Sequence, residues 1–216
     1  MPMKTTDKQV IYKLHQKYSH GFYKNKLLEV GWNHSLIVAE IALQIVKGIE
    51  KKYKIEVNKK LVETGALVHD IGFYSCFDDN YQKIDRYVKH GYLGYLILKK
   101  EKFEEKIARF ALVHVGIGLN REQIEKEKID IPAEDFIPIS LEEEIVTYAD
   151  GFHSKGRPKF NNYDEQKNEM GARGKEYEII LDRFKRKFGI PDLKDIEKKY
   201  KKWHQKINRW VKQIKK

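Results

Sequence analysis

The sequence predicts an all-α protein, and three observations support that prediction. Apolar residues recur at helical spacing in most segments of the chain. After His34, for example, one face of an amphipathic helix is formed by Ile37, Val38, Ile41, Ala42, Ile45 and Val46. Residues that typically cap helices precede several such segments. No run alternates apolar and polar residues for long enough to predict a sheet.

The predicted helices follow one another with short breaks. Asn33 is the expected N-cap of the first, which places His34 in its first turn. Asn58 is expected to cap the second, and Ser140 with Glu143 has the spacing of a capping box. The predicted helices are His34 to Val46, Lys59 to His69, Arg86 to Lys100, Phe103 to His114, Ser140 to Asp150, and about 163–170, 174–188 and 193–214. Loops rich in Gly, Asn, Asp or Pro lie at 75–80, 115–120, 129–140 and 151–162.

Composition limits the class of protein. The 216 residues can build one domain with a sizeable core. There is no bilayer-spanning apolar run and no N-terminal segment of signal-peptide type, so we expect a cytoplasmic protein. A single cysteine, Cys76, excludes an internal disulfide and a Cys-based zinc site.

The net charge of +11 is concentrated in the last third of the chain. Residues 1–150 carry 23 basic and 23 acidic side chains, whereas residues 151–216 carry 20 basic and 9 acidic ones. Such an excess favours anionic partners, which include phosphates, nucleic acid and acidic membrane surfaces.

Histidine and aspartate residues recur at helical segments beside apolar faces. In chain order these are His34, the pair His69-Asp70, His90, His114 and Asp150. Such groups are costly to bury without partners. Helices that converge on a shared centre build metal sites in bundles. The pattern therefore predicts a metal site in the core.

This ordered set resembles the signature of the HD-domain metal-dependent phosphohydrolase superfamily, which has a His, a His-Asp pair and a later Asp. LVETGALVHDIG (61–72) resembles its central helix, and YAD (148–150) resembles its final ligand segment. The tracts VHVGIGLNREQI and LEEEIVTYADGFHSKGRPKF are similar to a small, largely uncharacterised single-domain branch. The resemblance covers about residues 30–155 and implies an HD-domain helical bundle with a metal site in its core.

The resemblance also implies a role for each matching residue. The residues that match the ligands of a first metal are His34, His69, Asp70 and Asp150. His69 and Asp70 are the implied catalytic pair. His90 and His114 match positions that either complete a second metal or hydrogen-bond substrate phosphate. Nitrogen and oxygen ligands suit one or two divalent ions of Mn, Fe, Mg, Co or Ni. The implied reaction is in-line attack of a metal-bound hydroxide on a phosphorylated small molecule, with a nucleotide or nucleotide derivative as the expected substrate.

Departures from the family pattern narrow the range of expected substrates. Phe73 stands where many members carry a lysine, and Val115 stands where the cyclic-di-GMP phosphodiesterase branch has a second histidine. Phe73 and Tyr74 also occupy the region of the Glu-Asp pair of guanosine tetraphosphate hydrolases. We therefore expect neither of these nucleotides to be the substrate.

Phosphate contacts are expected from the loop after Asp150. Lys155 and Arg157 are the predicted substrate-binding residues, since arginine binds phosphate bidentately and lysine acts as a point charge. The alternative, that both are solvated loop charges, stays open. His153 is expected to be exposed on this loop. The other histidines, His15, His20 and His204, are expected to be structural.

We expect three sections of chain: an N-terminal helical extension (1–28), the HD domain (29–160) and a basic C-terminal helical segment (161–216) that packs on the same domain. In the last helix an apolar seam runs through Ile196, Tyr200, Trp203, Ile207, Trp210 and Ile214. It is expected to pack on its own domain or on a second subunit of a homodimer. The alternative function is a protein that binds nucleic acid or a membrane surface through this basic third.

Overall fold

The computed structural model describes residues 7–84 and 86–214. Its α-helices are α1 (Lys8–Tyr18), α2 (Lys24–Tyr53), α3 (Lys59–Val68), α4 (His90–Lys100), α5 (Glu105–Val113), α6 (Arg121–Lys126), α7 (Leu141–Asp150), α8 (Tyr163–Gly171), α9 (Lys175–Phe188) and α10 (Lys194–Ile214). Two 3-10 helices, Ile71–Cys76 and Tyr87–Lys89, lie between α3 and α4. Two short strands, β1 (His153–Ser154) and β2 (Lys159–Phe160), pair antiparallel. The all-α prediction is confirmed. Within the described ranges, every helix is too short or too polar to cross a membrane.

The first predicted helix begins earlier than expected. Asn33 lies inside α2, and its side-chain amide donates to the Glu29 carbonyl oxygen instead of capping a helix. Leu27 and Val30 are buried and continue the apolar face toward the N-terminus. His34 is therefore held in the middle of a long helix, where the backbone is fixed on both sides.

The predicted caps of two other helices are present. Asn58 accepts a hydrogen bond from the Leu61 backbone N–H, and Ser140 accepts one from the Glu143 N–H. The predicted capping box is incomplete, because the Glu143 carboxylate instead accepts from Arg109 Nε at 2.8 Å. This ion pair ties α5 to α7, the helices that end near His114 and Asp150.

A close backbone contact sets the position of α4. Gly72 packs against its first turn, where a Cβ would lie 2.0 Å from the His90 carbonyl oxygen and 2.4 Å from the Gly94 nitrogen. Glycine permits this approach because it has no side chain. Residues 86–89, predicted as α-helix, instead lead through a 3-10 turn into α4. His90 thereby becomes the first residue of α4 and lies next to Asp70.

The C-terminal helix packs on the helices before it. Ile207 and Val211 of α10 are buried in the same apolar core as the inner face of α2. The Tyr200 hydroxyl donates to Glu40 Oε1 of α2 at 2.8 Å, and Lys199 Nζ lies 2.5 Å from the same oxygen. Of the predicted seam, Ile196, Tyr200 and Ile207 are buried in the chain's own core and Trp203 and Trp210 pack against it, whereas the side chain of Ile214 lies outside what the structure describes. The boundaries at residues 28 and 160 stay a prediction.

Candidate metal centre

Histidine and aspartate side chains from five helices meet in the interior. They are His34 within α2, His69 and Asp70 at the end of α3, His90 at the start of α4, His114 after α5 and Asp150 at the end of α7. All are buried except Asp150, which is partly exposed. The structure therefore brings together the complete set that the sequence pattern singled out.

A first group of ligand atoms lies around Asp150. Its Oδ1 is 2.9 Å from His34 Nε2 and 3.3 Å from His69 Nε2. Asp70 Oδ2 lies 3.9 Å from His34 Nε2. Ligand atoms lie within 4.8 Å of one another in two overlapping sets, one of His34, His69 and Asp70 and one of His69, His114 and Asp150.

A second group shares Asp70. Its other oxygen, Oδ1, lies 3.3 Å from His90 Nε2 and 3.8 Å from His114 Nε2. Among the described residues, no group donates a hydrogen bond to this buried oxygen. The two oxygens of Asp70 thus face different groups, which is the arrangement of a bridging carboxylate.

Backbone carbonyls orient three of the histidines. The Nδ1–H donates to the carbonyl three residues earlier in the pairs His69 with Ala66 (2.7 Å), His90 with Tyr87, and His114 with Ala111 (2.8 Å). Since a carbonyl oxygen can only accept, Nδ1 carries the proton and Nε2 turns its lone pair toward the centre. Metal-bound histidines have outer-shell partners of this kind.

These lone pairs face one another at short range. His90 Nε2 and His114 Nε2 are 2.8 Å apart, and His34 Nε2 and His69 Nε2 are 3.3 Å apart. In the pair formed by His90 and His114 both nitrogens are unprotonated and repel each other, and a cation bound by both removes the repulsion. The residues therefore fit one or two divalent ions that accept nitrogen and oxygen ligands.

The charge states of the groups favour the same conclusion. Burial lowers the pKa of His34, lowers that of His90 to about 4, and lowers that of His114 well below its usual range. Burial alone would raise the pKa of Asp70, but the charges of Lys155 and of the neighbouring histidines together outweigh it, and the pKa lies below its ordinary value. Burial would also lower the pKa of His69, but its hydrogen bond to Asp150 and the charges of Asp150 and Asp70 outweigh burial, and the pKa is raised. The centre thus offers neutral imidazoles at His34, His90 and His114 beside an ionised carboxylate at neutral pH.

The two predicted phosphate-binding residues lie in different surroundings. The loop after Asp150 folds into the β1–β2 hairpin, and Lys155 extends inward from it to place Nζ 2.8 Å from Asp70 Oδ2. The same Nζ lies over the Phe73 ring, 5.9 Å from its centroid. A cation therefore stands beside the position where many family members carry a lysine. Arg157 is exposed in the hairpin turn, outside the residues that line the cavity described below.

The expectation that His153 is exposed is wrong. Only 3% of its surface is exposed, and its Nδ1 lies 2.7 Å from His34 Nδ1. Its Nε2 lies 3.1 Å from Nε2 of His204 on α10. Because His34 directs Nε2 to the centre, its Nδ1–H donates to His153, which donates in turn to His204. The sequence signal for a role of His153 was its position three residues after Asp150. Its burial could not be predicted, because it depends on α10, about fifty residues further along the chain.

A cavity of about 900 Å³ opens beside the centre. Asp150 and Lys155 contribute to its wall, which also includes the aromatic side chains of Phe73, Phe77, Tyr81 and Tyr87. Its size is typical of sites that bind small molecules.

Comparison with known proteins identifies relatives of several kinds. Residues 31–155 match the HD domain family. An uncharacterized protein of Methanocaldococcus jannaschii is 36% identical over 127 residues, which cover 59% of this chain and 68% of that protein. A tRNA (cytidine(56)-2'-O)-methyltransferase of Picrophilus torridus is 28% identical over 158 residues, covering 62% of this chain and 43% of the enzyme. The enzyme of that name from Thermoplasma volcanium is 31% identical over 118 residues, covering 55% and 30%.

This chain therefore spans less than half the length of the two methyltransferases. Among solved structures, the HD domain of the L. monocytogenes phosphodiesterase PgpH aligns with a TM-score of 0.46 and 17% identity, over 93% of this chain and 94% of that one. The family match covers more than half of the present chain and includes all six residues of the centre. The chain belongs to the HD domain family.

Proposed function

We propose that the protein is a metal-dependent phosphohydrolase whose substrate is a nucleotide or a nucleotide derivative. The observation that carries the proposal is the meeting of inward-facing imidazoles, the shared carboxylate of Asp70 and Lys155 beside a cavity whose wall includes Asp150 and Lys155. Membership of the HD domain family supports it. The proposed metal ligands are His34, His69, Asp70 and Asp150, with His90 and His114 at a second ion or at the substrate phosphate.

The residues of the centre have separate tasks in this proposal. When bound, a divalent ion at such a centre polarises a phosphoryl oxygen and activates water for attack on phosphorus. Asp70 accepts a hydrogen bond from the attacking water and orients it in line with the leaving group. His69 is held by Ala66, which keeps its Nε2 aligned with Asp150. The buried Lys155 ammonium stabilises the negative charge that develops on the phosphate.

The cavity supports a nucleotide as the substrate. Aromatic side chains in its wall offer surfaces on which a base can stack. Its volume exceeds the needs of a bare phosphate group and suits a ligand of nucleotide size.

The test is a screen of nucleoside phosphomonoesters and phosphodiesters with Mn²⁺, Fe²⁺, Mg²⁺, Co²⁺ or Ni²⁺, with Asp70→Asn as the inactive control. We expect hydrolysis of at least one nucleotide by the wild type alone. Equal rates in the wild type and Asp70→Asn would reject the proposal.

A second candidate function is RNA binding through a basic groove on α10. The groove is lined by the basic residues Lys159, Lys194, Lys198, Lys201, Arg209 and Lys212, and Glu197 is the acidic residue in its lining. In the described part of the chain, Lys194, Lys198, Lys201 and Lys212 have no carboxylate within ion-pair distance. The names of the two methyltransferase relatives favour RNA over a membrane surface.

The groove can be tested by charge reversal with a matched control. Lys198→Glu combined with Lys201→Glu alters the groove, whereas Lys47→Glu combined with Lys51→Glu alters exposed residues of α2 by the same net charge. We expect only the groove variant to weaken tRNA binding, with a log–log salt slope that is smaller by about 2. Equal effects of the two variants would show binding by net charge and reject the groove.

A further inference from the structure

Three residues in the wall of the cavity, Tyr87, Thr147 and Gln166, each have a buried side-chain polar atom without a hydrogen-bond partner among the described residues. Thr147 and Gln166 line the cavity and are 2% and 4% exposed. Thr147 Oγ1 and Gln166 Nε2 are fully buried and form no hydrogen bond with any described residue. The neighbouring Asn161 differs, because its amide donates to the Gly151 carbonyl and to Ser154 Oγ, both at 3.0 Å.

The unpartnered groups of Thr147 and Gln166 lie next to the candidate metal centre. Thr147 precedes Asp150 by three residues on α7, which places the two side chains on the same face of the helix. The amide of Gln166 on α8 lies against Gly151, where a Cβ would be 2.3 Å from Gln166 Oε1. The residue after a proposed metal ligand is therefore small enough to admit the amide.

This arrangement is costly for a protein without a ligand. A buried donor or acceptor that gives up water and gains no partner destabilises the folded state. A threonine hydroxyl in a helix usually escapes this cost by bonding the carbonyl four residues earlier, which Thr147 does not do. Two such groups in one cavity indicate that a polar part of a bound ligand supplies the missing hydrogen-bond partners.

We propose that Gln166 and Thr147 form a recognition subsite for the base of the nucleotide substrate, and this rests on the proposed function for the phosphate end. A primary amide presents a donor and an acceptor in one plane, which matches the hydrogen-bonding edge of a nucleobase. The hydroxyl of Thr147 adds a donor that also accepts. Met170 and Leu181, which line the same cavity, supply apolar surface for the faces of the ring.

Equilibrium binding of free nucleosides to the full-length protein tests this subsite. The probes are adenosine, guanosine, cytidine and uridine, which have no phosphate. The variants are Gln166→Leu and Thr147→Val, which remove the polar groups at similar volume. Thr147→Ser keeps the hydroxyl, and Gln44→Leu makes the same exchange as Gln166→Leu on α2, outside the cavity.

We expect at least one nucleoside to bind the wild type, and its Kd to rise at least tenfold in Gln166→Leu and in Thr147→Val. Thr147→Ser and Gln44→Leu should bind it as the wild type does. Absence of nucleoside binding at millimolar concentration, or equal Kd values in all five proteins, would overturn the inference. Since the probes cannot be hydrolysed, a protein that binds them without phosphatase activity would retain this inference and lose the proposed function.

Thermal melting of the ligand-free variants provides a second criterion. Because Thr147→Val removes an unpartnered hydroxyl and keeps the volume, its Tm should equal or exceed that of the wild type. A Tm lowered by several degrees would show that Oγ1 has a structural partner, which contradicts its assignment to a ligand.

Discussion

The two parts of the chain on either side of Asp150 differ in how they treat polar groups. Before Asp150, three of the four buried histidines of the centre are held by the backbone carbonyl three residues earlier, as His114 is by Ala111. After Asp150, Lys155 reaches the centre from the β1–β2 hairpin, and Gln166 of α8 lines the adjacent cavity with an Nε2 that has no partner among the described residues. Residues 1–150 have a net charge of zero, and residues 151–216 carry the whole excess of positive charge.

This difference suggests that the two parts of the chain contribute different functions. The segment that matches the HD domain family ends at residue 155 and contains the proposed metal ligands. Gln166 and the basic groove of α10 lie beyond it. Variants of the proposed metal ligands should therefore abolish chemistry, whereas variants of Lys155, Thr147 and Gln166 should change how the substrate is held.

The largest effect is expected at the residue shared by both ligand groups. Asp70→Asn removes a ligand charge, and hydrolysis should fall about 10³-fold, or about 4 kcal/mol of transition-state stabilisation. Steady-state kinetics on the substrate found in the screen measures this loss. Asp130→Asn, an exposed carboxylate that pairs with Lys89, is the control and should be silent. Retention of full activity by Asp70→Asn would place the chemistry elsewhere.

A smaller effect is expected from the lysine that the hairpin contributes. Lys155→Met should lower kcat/KM about 10²-fold, because it removes the cation beside the phosphate position. Metal content should remain at the wild-type level, which separates this residue from the ligands. Lys159→Met on β2, whose Nζ lies 2.9 Å from Glu165, is the matched control. If Lys155→Met released the metal, the division between the two parts would not hold at this residue.

Substitution of His153 tests the contact between the part of the chain before Asp150 and the part after it. It accepts the Nδ1–H of His34, so His153→Ala should weaken metal affinity 10- to 100-fold, as expected for an outer-shell partner. Titration of the metal-free protein against a competing chelator measures this change. His204→Ala, one residue further from the centre, should have the smaller effect. Equal effects of the two variants would argue for a general loss of packing.

The smallest expected effect is on the free energy of unfolding, and it comes from a structural histidine in the part of the chain before Asp150. His15 is buried between the Tyr74 hydroxyl and the Leu67 carbonyl, and burial lowers its pKa to about 4. Since the unfolded chain binds a proton near pH 6.5 and the folded one does not, stability falls as pH drops from about 6.5 toward 4. Between pH 7 and 6, His15 should contribute a loss of about 0.7 kcal/mol.

Urea denaturation at the two pH values, compared between the wild type and His15→Gln, measures that contribution. The variant should lose less stability than the wild type over this interval. An identical pH dependence in both proteins would show that His15 is not held neutral by the fold.

The sequence predicted the centre better than the cavity, for physical reasons. Asn58 and Ser140 act as caps because capping depends on a few neighbouring residues. The ligands were recognisable because their order along the chain is a pattern in itself. The prediction that Asn33 caps a helix was wrong. An N-cap cannot be told from a polar residue inside a helix when apolar residues continue at helical spacing on its N-terminal side.

Groups placed by distant packing left no local signal. His153 is buried because α10 covers it, and the burial of Gln166 depends on α8 lying against Gly151. Lys155 and Arg157 are two residues apart and were equivalent in the sequence. The hairpin turns the first inward and leaves the second exposed.

Elemental analysis of the purified full-length protein, prepared without a metal-affinity tag, measures whether the interior histidines and aspartates hold a divalent ion. We expect one or two ions per chain in the wild type and their loss in Asp70→Asn. Two ions would assign His90 and His114 as ligands, and one would assign them to the substrate phosphate. A wild type that holds no metal after reconstitution with Mn²⁺ and Fe²⁺, or an Asp70→Asn variant that retains it in full, would show that these residues do not form a metal site.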